Sequence, residues 1–230
     1  MLIDLHMHTN YSDGTLSPEA LTEHAAANGL DMIAITDHDV VEAYEVAAAH
    51  IAAAALPLTL IPAVEFNTDS PNREVHILGY FIDTKSPAMQ QEMEILQQAR
   101  SERIEKIIFK LQALSYEITL PEVLEQAKYA LSLGRPHVAR VLVAKGHFTH
   151  NKQASDHLLG RGRPGYVPHV KLSIANAVDI IAQAGGISVL AHPGLIKDDD
   201  YVERLLTDYP IQGLEVYYPK HSIDQIQQYL

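Results

Sequence analysis

His6 and His8 stand two residues apart in Asp4-Leu5-His6-Met7-His8, a run that alternates apolar and polar residues as a strand does. Residues i and i+2 of a strand share a face, so both imidazoles can reach one divalent cation. Asp13 follows in an Asp-Gly turn, where it can close over that cation or hold a neighbouring group. Similar residue types end other apolar runs. Met32 to Thr36 leads into Asp37-His38-Asp39, Leu58 to Val64 into Glu65, and Ile187 to Ala191 into His192-Pro193, while His76 lies inside Glu74 to Phe81. Parallel α/β folds present their sites in this way, at the carboxyl ends of strands.

The elements that must carry these residues follow from the same pattern. Strands alternate with helices from Met1 to about Asp83. Ser17-Pro18-Glu19 opens a first helix with an N-cap and a proline in the first turn, and Gly29 suits its C-terminal end. An alanine-rich helix is read from Val41 to Ala55, before Pro57. From about Thr84 to Pro168 no strand pattern occurs. Ile104, Ile107, Ile108, Leu111 and Leu114 keep helical spacing there, and shorter helices follow near Pro121 and Pro136. Alternation returns from Lys171, where Ser173 caps a helix that Gly185-Gly186 ends before the Ile187 strand, and a further strand is read over Leu214 to Tyr218. The expected organisation is an α/β barrel formed by residues 1–83 and 169–230, interrupted by a helical insertion or cap over 84–168. Gly160 to Gly165 reads as a mobile loop.

The set His6-x-His8, Asp13, Thr36-Asp37-His38-Asp39, Glu65, His76 and Ala191-His192-Pro193 resembles the PHP family, the polymerase and histidinol phosphatase superfamily. Gly134-Arg135-Pro136-His137-Val138-Ala139-Arg140 and Gly162-Arg163-Pro164-Gly165-Tyr166-Val167 resemble one branch of it, which holds nucleoside 3′,5′-bisphosphate phosphatases and 5′→3′ exoribonucleases acting on short RNA. The resemblance implies a distorted (β/α)7-type barrel and metal-dependent hydrolysis of a phosphate ester. It implies His6, His8 and Glu65 at a first cation, Glu65, His76 and His192 at a second, and Asp13 with His38 at a third. Two cations on a bridging carboxylate lie about 3.5–4 Å apart and can act together on one phosphoryl group. Arg135 and His137 become candidates for the non-metal half of the site, Arg135 as a fork for phosphate oxygens and His137 as a donor. Asp13, Arg163 and Tyr166 become candidate substrate contacts, the tyrosine by stacking on a base. Asp37 or Asp39 is a candidate acceptor orienting a ligand imidazole. His24, His50, His147, His150 and His157 are expected to be exposed, with His169 and His221 intermediate.

The family pattern also implies a last strand ending in Asp-x-His, completing the first and third sites. No such motif follows Tyr218. The expectation is therefore a barrel lacking its last strand, through truncation or as a natural variant. The missing motif leaves a truncated or weakened metal-binding module as one alternative; a histidinol-phosphatase-like enzyme, disfavoured by Gly134 to Arg140, is the other.

The chain has 230 residues, 47% of them apolar, enough for one sizeable core. It has no cysteine, so its metal ligands must be nitrogen and oxygen, which suits two or three ions of Mn²⁺, Fe²⁺ or Zn²⁺. A formal charge of −12, from 17 basic and 29 acidic residues, argues against wrapping duplex DNA and limits a nucleic-acid partner to a small nucleotide or short RNA. The longest apolar stretches are too short to span a bilayer, and Met1 leads straight into a strand, so a cytoplasmic location is expected. Oligomeric state is left open.

Overall fold

A computed structural model of the chain describes residues 1–70 and 73–230. Strands β1 (Ile3–Met7), β2 (Met32–Ile35) and the long β3 (Thr59–Asp69) run parallel, with helices α1 (Pro18–Ala27) and α2 (Ala43–Ala54) in the crossovers. β4 (Val75–Tyr80) then turns back antiparallel to β3, pairing Glu65 with Leu78 and Asn67 with His76. The sheet continues through β6 (Ile187–Leu190), antiparallel to β4, to the two-residue β7 (Gly213–Leu214), while β5 (Leu172–Ser173) pairs with the end of β3. The result is a curled, open sheet with β1 and β7 as its end strands. The sheet is mixed, where the strand-end pattern suggested a parallel one. Only residues 70–74 join β3 to β4, and a parallel connection needs a dozen residues or more.

That reversal matters to the site. β4 runs against its neighbours, so His76, near its beginning, lies opposite Asn67, two residues past Glu65 and beyond the carboxyl end of β2. The strand read over Leu214 to Tyr218 is reduced to Gly213–Leu214, although Glu215 N–H still donates to the Leu190 carbonyl at 2.9 Å.

Between β4 and β5 the chain is helical among the described residues. α3 (Pro87–Ala113) is followed by α4 (Leu120–Ala127), α5 (Arg135–Ala144), the short α6 (Asn151–Ala154) and a π-turn over Ser155–Leu159. The first half of α3 buries Met89, Met93 and Leu96 in the core beneath the sheet, with Phe66, Ile77 and Ile181. Its second half buries Ile104, Ile107, Ile108 and Leu111 in a separate cluster with Val138, Leu142 and Leu159. At about 1.5 Å per residue α3 is a strut about 40 Å long that joins the two clusters. Arg100 and Arg103, both buried, sit where it passes from one to the other. Leu114, which keeps the same helical spacing, is exposed at the end of the helix. The loop after the π-turn is pinned rather than loose in its contacts: Gly165 N–H donates to the Leu158 carbonyl at 2.9 Å, and a side chain there would collide with Leu111.

Helix α7 (Ile174–Gln183) packs under β4, where Gly79 leaves room for Ile181; α8 (Asp199–Asp208) and α9 (Ile223–Tyr229) complete the described helices. Ser173 caps α7, its hydroxyl accepting from Asn176 N–H at 3.0 Å. Ser173→Ala should therefore cost about 1 kcal/mol in a urea denaturation while leaving cation uptake unchanged. An unchanged midpoint would show that solvent replaces the cap.

Candidate metal centre and adjoining cavity

Glu65 organises the centre. It is about 1% exposed, and five imidazoles surround its carboxylate. Oε1 lies 2.7 Å from His76 Nδ1 and 3.0 Å from His192 Nε2. Oε2 lies 3.2 Å from His6 Nε2, 3.2 Å from His8 Nε2 and 3.1 Å from His38 Nδ1. Asp13 stands at the rim, 3.6 Å from His8 Nδ1 and 4.0 Å from His38 Nε2. All seven sequence-derived ligand candidates thus converge, from β1, the ends of β2 and β6, the middle of β3 and the start of β4. The loop bearing Asp13 folds back on the end of β1: Gly14 lies so close to the His8 carbonyl that a Cβ there would clash. Asp37 fixes this loop, accepting from Thr9 N–H at 2.7 Å and from the hydroxyls of Thr9 and Ser12.

On Glu65 itself, His76 and His192 share Oε1 while His6 and His8 share Oε2 with His38. Three donor sets have their ligand atoms within 4.8 Å of one another: His6, Glu65 and His192; His38, Glu65 and His76; and His8, Asp13 and His38. His8, one residue beyond β1, turns to the β2 side and joins Asp13, while His6 faces the β6 side and joins His192.

These residues fit divalent cations. His8 Nδ1, His76 Nε2 and His192 Nδ1 are buried without hydrogen-bond partners among the described residues, and Glu65 Oε2 alone faces three imidazole nitrogens. Buried polar atoms are normally satisfied, and here several lone pairs converge around one carboxylate with too few protons to share. The electrostatics agree. Burial alone would raise Glu65, but His38 and His76 beside it hold the carboxylate well below its usual range, so it stays ionised. Burial pushes His38 down to about 3 and keeps its ring neutral, as a ligand requires. His6 departs from this: burial acts the same way, but hydrogen bonds to Glu215 and Glu65 outweigh it and push that imidazole up to about 10, so a cation there takes the place of a proton.

Two acidic residues behave differently from expectation. Neither Asp37 nor Asp39 orients a ligand imidazole. Asp37 holds the Thr9–Ser12 loop, and Asp39, at φ 53°, binds Arg100, whose Nε donates to Oδ2 at 2.7 Å. The carboxylate that does reach ligand histidines is Glu215. Its Oε1 accepts from His6 Nδ1 at 2.9 Å and its Oε2 from the backbone N–H of His192 at 2.6 Å. Sequence reading passed over it as an ordinary strand residue.

A cavity of about 360 Å³ opens over the cluster, with Leu195 and Tyr218 on its apolar side. A second, of about 240 Å³, adjoins it and shares Asp13, His38, Glu74 and His76. Its other walls come from the helical segment and the stretch after it: Arg100, Arg103, Ser132, Arg135, Tyr166, His169 and Lys171. Arg135 Nη2 donates to Glu74 Oε1 at 3.2 Å, across the rim. Arg103 is about 7% exposed; its Nε donates to the Val167 carbonyl at 2.9 Å, and no carboxylate pairs with it among the described residues. Burial, with Arg135 and Arg100 nearby, pulls its guanidinium down to about 10. Ser132 Oγ and His169 Nε2, in the same walls, are buried without partners among the described residues. Burial beside Arg100 and Arg103 drives His169 down to about 3, so its ring is neutral.

Of the remaining candidates, Tyr166 lines this second cavity. Arg163 does not: it lines a separate depression with Arg135 and Arg161. His137 is corrected more strongly. It lines neither cavity, is about 1% exposed, and its Nδ1 accepts from Gly134 N–H at 3.0 Å. Burial and the nearby Arg140 lower its pKa. It braces the turn that carries Arg135 and cannot donate to a substrate from there. His221 is equally occupied, with Nε2 accepting from Gly194 N–H at 3.2 Å and Nδ1 bonded to the Val216 carbonyl at 2.9 Å.

Comparison with known proteins follows the same lines. The PHP domain model matches residues 4–131. The chain is 38% identical to the 5′-3′ exoribonuclease Rnm of Escherichia coli over 84% of its own length and 66% of that protein's, just under two thirds of the relative. It is 32% identical to the 3′,5′-nucleoside bisphosphate phosphatase of Chromobacterium violaceum over 99% of its length and 80% of that protein's. Among solved structures, an amidohydrolase from Chromobacterium violaceum with bound sulfate superposes with a TM-score of 0.91 at 31% identity, covering 99% of this chain and 81% of that one. A metal-dependent phosphoesterase from Bifidobacterium adolescentis superposes at 0.88 with 28% identity over the same shares. With a family match over more than half its length and relatives this similar, the chain belongs to the PHP domain family.

Proposed function

We propose that this chain is a metal-dependent phosphoesterase that hydrolyses a phosphate ester of a nucleoside 3′,5′-bisphosphate or the 5′ end of short RNA. One observation carries the reading: the carboxylate-centred donor cluster opens directly into a cavity walled by arginines. The names of the relatives point the same way.

His6, Glu65 and His192 would hold one cation, His38, Glu65 and His76 a second, and His8, Asp13 and His38 a third. With nitrogen and oxygen ligands alone, the sites suit Mn²⁺, Fe²⁺ or Zn²⁺, of which Mn²⁺ is taken first. When bound, such ions supply Lewis acidity for the phosphoryl oxygens and make water acidic enough to act near neutral pH.

The chain's own residues do the rest. Glu65 keeps the negative charge that gathers the cluster, and Leu195 and Tyr218 keep one wall dry. Arg135 offers a fork to phosphate oxygens, exchanging its exposed ion pair with Glu74 for the substrate. Arg103, Ser132 and His169 receive an anionic group of the substrate away from the reacting phosphorus. Tyr166 gives a face on which a base can stack. Arg163, outside Arg135, meets the continuing chain when the substrate is RNA. In this scheme residues 84–168 are a cap that selects the substrate, and residues 1–83 with 169–230 carry the metal chemistry.

The test is a turnover screen with added Mn²⁺ against adenosine 3′,5′-bisphosphate, a 5′-phosphorylated oligoribonucleotide and histidinol phosphate. Turnover of the first two is expected, suppressed by a chelator and restored by Mn²⁺. Turnover of histidinol phosphate alone would return the chain to that class of phosphatase. Tight cation binding with no phosphate ester hydrolysed would make it a binding module.

A further inference from the structure

We infer that Glu215 is the positioning residue for the His6–Glu65–His192 donor group and sets both histidines at once; the inference rests on reading that group as a cation site.

An imidazole has two nitrogens, and the hydrogen bond made by one decides what the other can do. His6 Nδ1 lies 2.9 Å from Glu215 Oε1, and a carboxylate can only accept, so the proton sits on Nδ1. That leaves Nε2, 3.2 Å from Glu65 Oε2, as the nitrogen a cation would take, in exchange for the proton it shares with that carboxylate. The same bond fixes the plane of the ring.

His192 is held through its backbone. It lies at φ 31° and ψ 57°, left-handed territory that a side chain with a Cβ seldom occupies. The ladder cannot hold it there, since the last strand bond on this side runs from Ala191 N–H to the His76 carbonyl at 3.1 Å. Glu215 Oε2 takes the next N–H, that of His192, at 2.6 Å. In this conformation His192 Nε2 comes within 3.0 Å of Glu65 Oε1, and its ring stacks beside His6 with centroids 5.7 Å apart. Glu215 is itself anchored, because its N–H donates to the Leu190 carbonyl and Leu214 pairs with Leu190. The sheet therefore places Glu215, and Glu215 places two ligands.

A carboxylate with two acceptor oxygens is required for this. Glutamine offers one, so its amide group must face either the His6 proton or the His192 N–H. Aspartate keeps both oxygens but draws them back by one methylene. The full chain is titrated with Co²⁺ as wild type, Glu215→Gln and Glu215→Asp, following stoichiometry, affinity and the visible absorption of each equivalent. One equivalent should weaken by about 10–100-fold in Glu215→Gln with an altered spectrum, the others keeping theirs, and Glu215→Asp should fall between. The Zn²⁺-loaded wild type supplies a check independent of any variant: ¹⁵N NMR should place the His6 proton on Nδ1. A proton on Nε2, or Co²⁺ affinity and spectra unchanged in Glu215→Gln, would overturn the inference while leaving the cation site intact. A wild-type chain that takes up no cation would overturn the reading of the site, and the inference with it.

Discussion

Glu65→Gln should lower phosphoester turnover by about 10³-fold or more, a loss of about 4 kcal/mol in transition-state stabilisation. The side chain keeps its size, so the effect isolates charge and acceptor count. Glu65 serves five imidazoles with two oxygens, and two of the three donor groups share it. Glutamine presents one oxygen and one NH₂ group. The NH₂ group can donate to an imidazole lone pair but cannot ligate a cation, so one of the two donor groups that share Glu65 loses its carboxylate oxygen. The uncompensated cost of holding several histidines together without the central charge also falls on the folded state. The check is a pair of measurements on the purified variant, cations retained per chain and turnover of the best substrate from the screen, with circular dichroism to confirm folding. Both should fall together. Full cation content with near-normal turnover would show that Glu65 is a structural carboxylate and that the site is built around Asp13 instead.

Much of this centre could be read from the sequence because each ligand ends or begins an extended run, and strands fix direction and spacing within a few residues. His6 and His8 needed only the two-residue period. What stayed hidden depends on pairing. The role of Glu215 follows from the register of Leu214 with Leu190, which no local pattern near Glu215 encodes. The antiparallel course of β4 was open to inference from its short connection, but not from its alternation, which is blind to direction. Arg100 and Arg103 left a usable signal. They fall on the helical stripe of Leu96, Ile107 and Leu111, so a charge on a core-facing row was visible before the fold was known. His137 misled for the opposite reason. Its neighbourhood to Arg135 in sequence suggested a shared cavity, yet one turn of α5 points the arginine outward to the rim and the imidazole back into the core.

Arg103→Met should weaken substrate handling and at the same time make the free protein more stable. The arginine is buried among Arg100, Arg135 and Lys171 with no carboxylate partner among the described residues, and its one described hydrogen bond goes to the Val167 carbonyl. Arg100 is not equivalent, because Asp39 neutralises it. A dehydrated cation held near others is costly to the folded state, by more than the ~1 kcal/mol that the Val167 bond returns. Methionine fills most of the same space without charge. The expected rise in stability is about 1–2 kcal/mol, or several degrees in Tm for a domain of this size. The cost appears when an anion arrives: losing a charge-assisted contact should lower kcat/KM by about 2 kcal/mol, roughly 30-fold, chiefly through KM. Thermal melts and steady-state kinetics on the bisphosphate substrate test both halves. Added inorganic phosphate should raise the melting temperature of the wild type more than that of the variant, since only the wild type gains a counter-charge. A variant that melts lower and keeps its KM would show that Arg103 is a packing residue whose charge is already balanced, and would take the anion-receiving role away from this cavity.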